Sequence, residues 1–193
     1  MDILIVGATG TIGSAVVRAL GTSHRVIGAS RGGALRADLE DPSSLDALFD
    51  AVGGLDAVVC CAASGPLTGP DTTDEEMAAG ARGKLFGQVA LARRAATRLR
   101  DHGSITLTGG AVPAGLRGGS LGALINSGLE GYVRHAANEL PRGLRINLIS
   151  PGWVRETLVG LGADPDGGTP AAEVARAYAR AVEGAAQGEV FRP

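Results

Sequence analysis

Aromatic residues, cysteines and long apolar runs are scarce in this sequence. Aromatic side chains occupy 3% of its 193 positions, so we expect a core built mainly from aliphatic residues. No apolar run reaches the roughly 18 residues of a membrane span, and no basic segment precedes the first apolar run as in a signal peptide. With 45% hydrophobic and 20% charged residues, the sequence predicts one globular domain over residues 1–193 without a membrane partner.

Residues that form disulfides or bind metals are also few. Cys60 and Cys61 are adjacent, and neighbours in a strand point to opposite faces, so we expect no disulfide between them. Reduced thiols favour a cytoplasmic protein. The three histidines are isolated along the chain, which predicts no metal site. Scattered arginines and a net charge of −2 give no basic face, so no nucleic-acid partner is predicted.

The chain does contain a regular alternation of apolar runs and helical patterns. This alternation predicts parallel strands joined by helical crossovers, and continuous apolar runs indicate strands covered on both faces. The sequence therefore predicts a single-domain α/β fold with a doubly wound, Rossmann-type parallel sheet of about seven strands. The predicted strands are residues 3–6, 25–29, 35–37, 57–61, 104–108, 144–149 and 189–191. The predicted helices are residues 11–20, 42–51, 74–100 (with a break near 80–83), 119–140 and 170–183.

A glycine-rich turn follows the first predicted strand and leads directly into a helix. Glycines let the backbone turn tightly and approach a pyrophosphate, while the helix N-terminus supplies N–H groups. A tight turn without a ligand is the alternative, but the strand–turn–helix context favours a dinucleotide site. The candidate phosphate-binding residues are Gly7, Thr9, Gly10, Thr11, Ile12 and Gly13.

The second predicted strand ends at Ser30 and Arg31, with no acidic residue at this point. An acid here would accept the ribose hydroxyls of NAD, whereas a hydroxyl and a guanidinium suit a 2′-phosphate. The pair therefore favours NADP(H) over NAD(H) as the cofactor. The alternative is that Arg31 simply points into water.

Together these motifs resemble the short-chain dehydrogenase/reductase family over nearly the whole chain. The resemblance implies an adenine contact at Asp38 and Leu39, and a turn beside the cofactor in the segment Cys61-Ala62-Ala63-Ser64-Gly65, which lacks the family's asparagine. It also implies a nicotinamide site after the sixth predicted strand. It further implies a homodimer or homotetramer through the helices around 74–100 and 119–140. The implied cofactor contacts at these places are Ala62, Ala63, Ser64, Pro151, Gly152, Val154 and Thr157.

The family's catalytic residues are missing from this chain. The resemblance implies a Tyr-x-x-x-Lys pair, a serine and an asparagine, but the aligned tyrosine and lysine positions hold Gly122 and Asn126. The serine position falls on Gly109 or Gly110, and the asparagine position holds Lys84, the only lysine in the sequence. The chain thus exchanges lysine and amide between two helices, if both side chains face one pocket. A solvated Lys84 on a helix face is the alternative.

Three functions are compatible with this arrangement. The first is an NADP(H)-dependent oxidoreductase acting on a small carbonyl, alcohol or enone, with Lys84, Asn126 and Thr108 as candidate catalytic residues. The second is a non-redox nucleotide sensor or regulatory protein, because the usual acid is missing. The third is a non-redox isomerase or cyclase that uses the emptied pocket. The first ranks highest, because loss of the tyrosine leaves the hydride donor in place.

Overall fold

The centre of the protein is a parallel β-sheet, seen in a computed structural model that describes residues 1–62 and 68–193. Its strands within those residues are β1 (Asp2–Val6), β2 (Arg25–Ala29), β3 (Leu55–Cys60), β4 (Leu99–Thr108), β5 (Arg145–Ile149) and β6 (Val190–Phe191). Their order in the sheet is β2-β1-β3-β4-β5-β6. The chain thus runs from β1 outward to β2 and then back across β1 to β3. A crevice at such a reversal is where open α/β sheets bind ligands.

Helices cover both faces of the sheet, which confirms the predicted α/β fold class. They are α1 (Thr11–Leu20), α2 (Pro42–Ala51), α3 (Asp74–Ala81), α4 (Gln88–Arg98), α5 (Ser120–Ala136), α6 (Arg155–Gly160) and α7 (Ala171–Glu183). One core cluster joins α2, α4 and α5 to the sheet, and the other joins α1 and α7 to it. Among the described residues, no helix is both long enough and apolar enough to span a membrane.

The brief strand predicted at residues 35–37 is wrong, so the described sheet has six strands rather than about seven. This segment makes only an isolated bridge between Ser30 and Arg36. After β2 the chain folds back on itself, and the Ser30 N–H donates to the Leu35 carbonyl over 3.1 Å. The apolar residues of this segment therefore close a loop beside the sheet edge instead of extending it.

The long helix predicted over residues 74–100 is continuous from α3 to α4, but its middle is a π-helical turn, Arg82–Gly87. Here the predicted break is replaced by a wider helical turn. Gly87 lets this turn approach the preceding loop, because a Cβ there would lie 2.5 Å from the Leu39 carbonyl oxygen. The helix ends at Arg98, and β4 begins at Leu99, five residues earlier than predicted. Single π-helical turns of this kind occur frequently at functional sites.

Helix α5 runs from Ser120 to Ala136 and is four residues shorter at its C-terminus than predicted. Its small residues allow a close approach to the π-helical turn. A Cβ on Gly128 would lie 3.4 Å from Leu85 Cδ1. This contact brings α5 and the π-helical turn side by side, so that both can present side chains to the same end of the sheet.

Candidate functional site

A cleft of about 1220 Å³ opens at the carboxyl ends of the central strands. Most of the predicted site residues line it, although they come from eight separate stretches of the chain between Gly7 and Thr157. Of the predicted residues, those on the cleft wall are Gly7, Thr9, Gly10, Thr11, Ile12, Ser30, Arg31, Asp38, Leu39, Ala62, Lys84, Thr108, Asn126, Pro151, Gly152, Val154 and Thr157. Ala63 and Ser64 lie outside the described residues.

The glycine-rich turn forms one end of the cleft through backbone contacts. Gly7 has φ +84°, and a Cβ there would lie 2.6 Å from the Ala62 amide nitrogen. Gly13 does not reach the cleft wall, because it packs beneath the turn, where a Cβ would collide with the Gly7 carbonyl oxygen. Helix α1 then begins after Gly10 without a side-chain cap. Its N-terminal N–H groups therefore remain available to an anionic ligand.

The end of β2 supplies a guanidinium group beside this turn. Arg31 is exposed on the cleft wall and forms no ion pair within residues 1–62 and 68–193. The nearby Arg36 is instead paired with Asp38, at 3.8 Å. Asp38 Oδ1 also accepts the Glu40 N–H over 3.1 Å, which orders the loop along the cleft. The free guanidinium and the buried Ser30 fit a 2′-phosphate by their donor chemistry.

At the opposite end, the segment after β5 is held against the segment after β4. The Ala111 N–H donates to the Pro151 carbonyl over 2.8 Å. Val154 forms a bridge to Thr169, and α6 starts directly after it. These contacts place Pro151, Gly152 and Val154 on the wall that faces Gly110. Helix α6 and the apolar cleft residues Val112, Pro113, Leu116, Trp153 and Leu161 were not predicted from the sequence.

Lys84 and Asn126 converge on one point of this wall. A Cβ built on Gly110 would lie 3.3 Å from Asn126 Nδ2 and 3.8 Å from Lys84 Nζ. Gly110 is one of the two positions where the resemblance predicts the family's serine, and without a side chain there the two nitrogen groups face the same space. The predicted exchange of lysine and amide between helices therefore places both groups in one pocket.

Lys84 is partly buried and Asn126 is buried, and each has surroundings that are unusual for such a polar group. Burial lowers the pKa of the Lys84 ammonium, with no contribution from a neighbouring charge within the described part of the chain. Asn126 is 5% exposed, and its Oδ1 has no hydrogen-bond partner among the described residues. Buried polar atoms are seldom left unpaired. An orphaned acceptor beside the cleft indicates a site that a bound ligand completes.

Thr108 lines the cleft, but its hydroxyl forms hydrogen bonds inside the core. The hydroxyl donates to the Cys60 carbonyl, so the Tyr178 phenol, 2.5 Å away, donates to it in turn. Burial raises the pKa of Tyr178 well above its ordinary value, and that of the Cys60 thiol to about 12. The Cys60 carbonyl, the Thr108 hydroxyl and the Tyr178 phenol thus link β3, β4 and α7. We therefore assign the Thr108 hydroxyl no contact with substrate.

Gln88 is a functional candidate that sequence reasoning missed. It is fully buried, and its side chain bridges the π-helical turn and the end of β4. Its signal in the sequence is weak, since it is a single amide at the start of a helix that carries other polar residues. At Gly122, the position aligned with the family's tyrosine, an added Cβ would contact Val112 at 3.6 Å and no other side chain among the described residues.

A doubly wound parallel sheet with a glycine-walled cleft at its chain reversal defines a nucleotide-binding α/β protein. A sequence model described as enoyl-(acyl carrier protein) reductase matches residues 11–190. This chain belongs to the short-chain dehydrogenase/reductase family, as its sequence motifs predicted. No curated protein matches the sequence.

Solved structures share this fold over the whole chain. The protein lin1944 from Listeria innocua is 35% identical, and the match covers 100% of this chain and 98% of lin1944 with a TM-score of 0.94. A small-chain dehydrogenase in complex with NADPH is 26% identical, over 100% of this chain and 96% of its own, with a TM-score of 0.86. The 3-hydroxyacyl-CoA dehydrogenase type-2 from Mycobacterium avium is 21% identical, over 99% of this chain and 93% of its own, with a TM-score of 0.83, and shows the common fold alone.

Proposed function

We propose that this protein is an NADP(H)-dependent oxidoreductase that acts on a small carbonyl, its alcohol, or an enone. The observation that carries the proposal is the convergence of Lys84 Nζ and Asn126 Nδ2 on the space above Gly110. An ammonium and an amide N–H aimed at one point can bind and protonate a developing oxyanion. The family supplies the oxidoreductase class, and these two residues supply the acid that its usual tyrosine would provide.

The choice of NADP(H) rests on the adenosine end of the cleft. Ser30 and Arg31 replace the acid that would accept ribose hydroxyls, and a related dehydrogenase is in complex with NADPH. The glycine-rich turn fits the pyrophosphate, because a backbone without side chains can approach it closely. Side chains on Gly7 or Gly13 would collide with neighbouring backbone atoms and displace the turn. When bound, the cofactor supplies or accepts hydride at the substrate carbon.

The residues of this chain handle the proton. In the direction of reduction, the Lys84 ammonium transfers one proton to the substrate oxygen as that oxygen gains charge, and the Asn126 N–H donates a hydrogen bond to it. Lys84 is left neutral and regains a proton from water. Burial lowers the pKa of Lys84, which brings its acidity closer to the range in which proton transfer is efficient. In the oxidative direction, neutral Lys84 takes the proton from the alcohol.

The test is NADPH oxidation by the purified protein against a panel of aldehydes, ketones and enones. We expect turnover with at least one class, and a loss in kcat of roughly 10²- to 10⁴-fold in Lys84→Met, without a change in NADPH affinity. Arg82→Met is the matched control, because Arg82 is an exposed cation on the same π-helical turn. It should keep the wild-type rate.

Two other results would replace the proposal. Tight NADPH binding without turnover of any substrate would indicate a nucleotide sensor or regulatory protein. Product formed without net consumption of NADPH would indicate an isomerase or cyclase.

We further propose a homodimer or homotetramer assembled through α3, α4 and α5. Phe86 on the π-helical turn and Leu124 on α5 are each 62% exposed, and burying them would remove apolar area from water. Leu124→Glu should shift the mass measured by light scattering toward that of a single chain. Val159→Glu, at an equally exposed apolar position on α6, should leave the mass unchanged.

A further inference from the structure

The fully buried side chain of Gln88 joins the two segments that define the chemical end of the cleft. Its Nε2 donates to the Lys84 carbonyl and to the Thr108 carbonyl, each over 2.8 Å. Its Oε1 accepts the Thr108 N–H over 2.8 Å. Both amide protons and the amide oxygen are therefore used, as a buried amide requires. All three bonds go to backbone groups of residues on the cleft wall.

The π-helical turn explains why a side chain is needed here. In a regular α-helix the N–H of residue 88 would donate to the carbonyl of residue 84. In this protein the Gln88 N–H donates to the Leu85 carbonyl instead, and the Gln88 side chain takes over the bond to Lys84. The side chain thus replaces a missing helical hydrogen bond while it anchors the turn to the sheet.

We propose that Gln88 is a positioning residue that holds Lys84 over Gly110. One end of the amide fixes the Lys84 backbone, and the other fixes Thr108, two residues before Gly110. The separation between the lysine and the floor of the pocket is therefore set by one side chain. This inference rests on the proposed role of Lys84 for its catalytic consequence, but the placement of the lysine can be measured without any reaction.

Asn147 provides a matched reference elsewhere in the protein. It is also fully buried, its Nδ2 donates to the Ala186 carbonyl over 2.8 Å, and its Oδ1 accepts the Glu189 N–H over 3.0 Å. It ties β5 to the segment before β6, and it does not line the cleft. Loss of either amide removes buried hydrogen bonds, but only Gln88 bonds to the backbone of Lys84.

The experiment uses the fact that Lys84 is the only lysine in the sequence. Protein labelled with ¹³C-lysine gives one lysine side-chain signal, whose chemical shift is followed against pH in wild type, Gln88→Met and Asn147→Leu. In Gln88→Met we expect the midpoint to rise toward about 10.4, the value of an exposed lysine, because the turn relaxes and water reaches the ammonium. Asn147→Leu should titrate like wild type even though it also loses buried hydrogen bonds.

Activity gives the second readout. We expect kcat of Gln88→Met to fall on the order of 100-fold, since small misplacements of a catalytic group have effects of this size, with NADPH affinity unchanged. Gln88→Asn, which keeps an amide but is one methylene too short to span both backbones, should behave similarly and serves if the methionine variant does not fold. A folded Gln88 variant whose lysine titrates like wild type would overturn the inference. A shifted titration in a protein that never oxidises NADPH would support the inference while refuting the proposed function.

Discussion

The two ends of the cleft are built in different ways. The phosphate end consists of backbone approaching backbone, where Gly7 and Gly13 leave no room for a side chain. The chemical end consists of side chains, Lys84 and Asn126, that reach one point from two different structural segments. A backbone-lined site tolerates almost no substitution, whereas a pocket lined by side chains can exchange an ammonium and an amide between helices. This difference fits the proposed function, in which the chain keeps a glycine-rich cofactor turn while Lys84 and Asn126 take the role of the family's acid.

The largest effect is expected where backbone meets backbone. Gly13→Ala should weaken NADPH binding by more than about 100-fold, because the new Cβ collides with the Gly7 carbonyl and displaces the turn. Fluorescence titration with NADPH measures the loss. Gly131→Ala is the matched control, since Gly131 also lies within a helix but a Cβ there would have no described atom within 4 Å outside its own helix backbone and chain neighbours. Its NADPH affinity should be unchanged and its free energy of unfolding higher by about 0.5–1 kcal/mol. Equal NADPH affinity of the two variants would contradict the claim that the phosphate end depends on close backbone contacts.

Asn126→Leu tests the other end of the cleft. We expect kcat to fall on the order of 100-fold through loss of one oxyanion donor. The same change removes Asn126 Oδ1, which has no partner among the described residues, from the interior, so the free energy of unfolding should rise or stay unchanged. Asn147→Leu, which deletes an amide with partners, should be destabilised by about 1–3 kcal/mol. A marked destabilisation of Asn126→Leu would mean that its amide serves folding instead of the reaction.

Arg31→Ala should have a smaller effect, confined to the phosphorylated cofactor. Loss of one exposed charge-assisted contact should weaken NADPH binding about tenfold and leave NADH binding unchanged. The ratio of the two dissociation constants is the measurement. Arg36→Ala is the control, because that guanidinium already pairs with Asp38. If Arg31→Ala weakens the binding of NADPH and NADH equally, the arginine does not contact the 2′-phosphate.

Tyr178→Phe should have the smallest effect. It removes one donor from the Thr108 hydroxyl while keeping the ring, so we expect about 0.5–1.5 kcal/mol loss in the free energy of unfolding and near-normal kcat. Chemical denaturation and steady-state rates measure the two quantities. A large drop in kcat with normal stability would show that the phenol takes part in the chemistry.

Much of the fold could be read from the sequence, because it depends on local patterns. The predicted strands include a counterpart of each of the six described strands, and the glycine-rich turn marked the start of α1. The predicted strand at residues 35–37 failed, since three apolar positions cannot distinguish a short strand from a loop that closes on Ser30. The early start of β4 at Leu99 was not predicted, because the polar residues Arg100, Asp101 and His102 interrupt the apolar pattern.

The site was only partly predictable. Register against the family placed Lys84 and Asn126 in one pocket, and the structure brings them together at Gly110. The role of Gln88 could not be read, because its bonds depend on a π-helical turn and on Thr108, twenty residues away. Thr108 looked like a substrate contact because of its position, but its hydroxyl is turned toward Cys60 by a core that local sequence does not reveal.

The proposal that Lys84 donates the proton is tested most directly by the pH dependence of reduction. The rate is measured in single turnover with saturating NADPH, for wild type and for Lys84→Met. In the proposed mechanism reduction needs the ammonium form of Lys84, so the wild-type rate should be level at low pH and fall as pH rises through the lysine pKa. Because burial lowers that pKa, the fall should begin below pH 10.4, the midpoint of an exposed lysine. Lys84→Met should be slow and lack this fall. The same descending limb in both proteins would show that another group donates the proton.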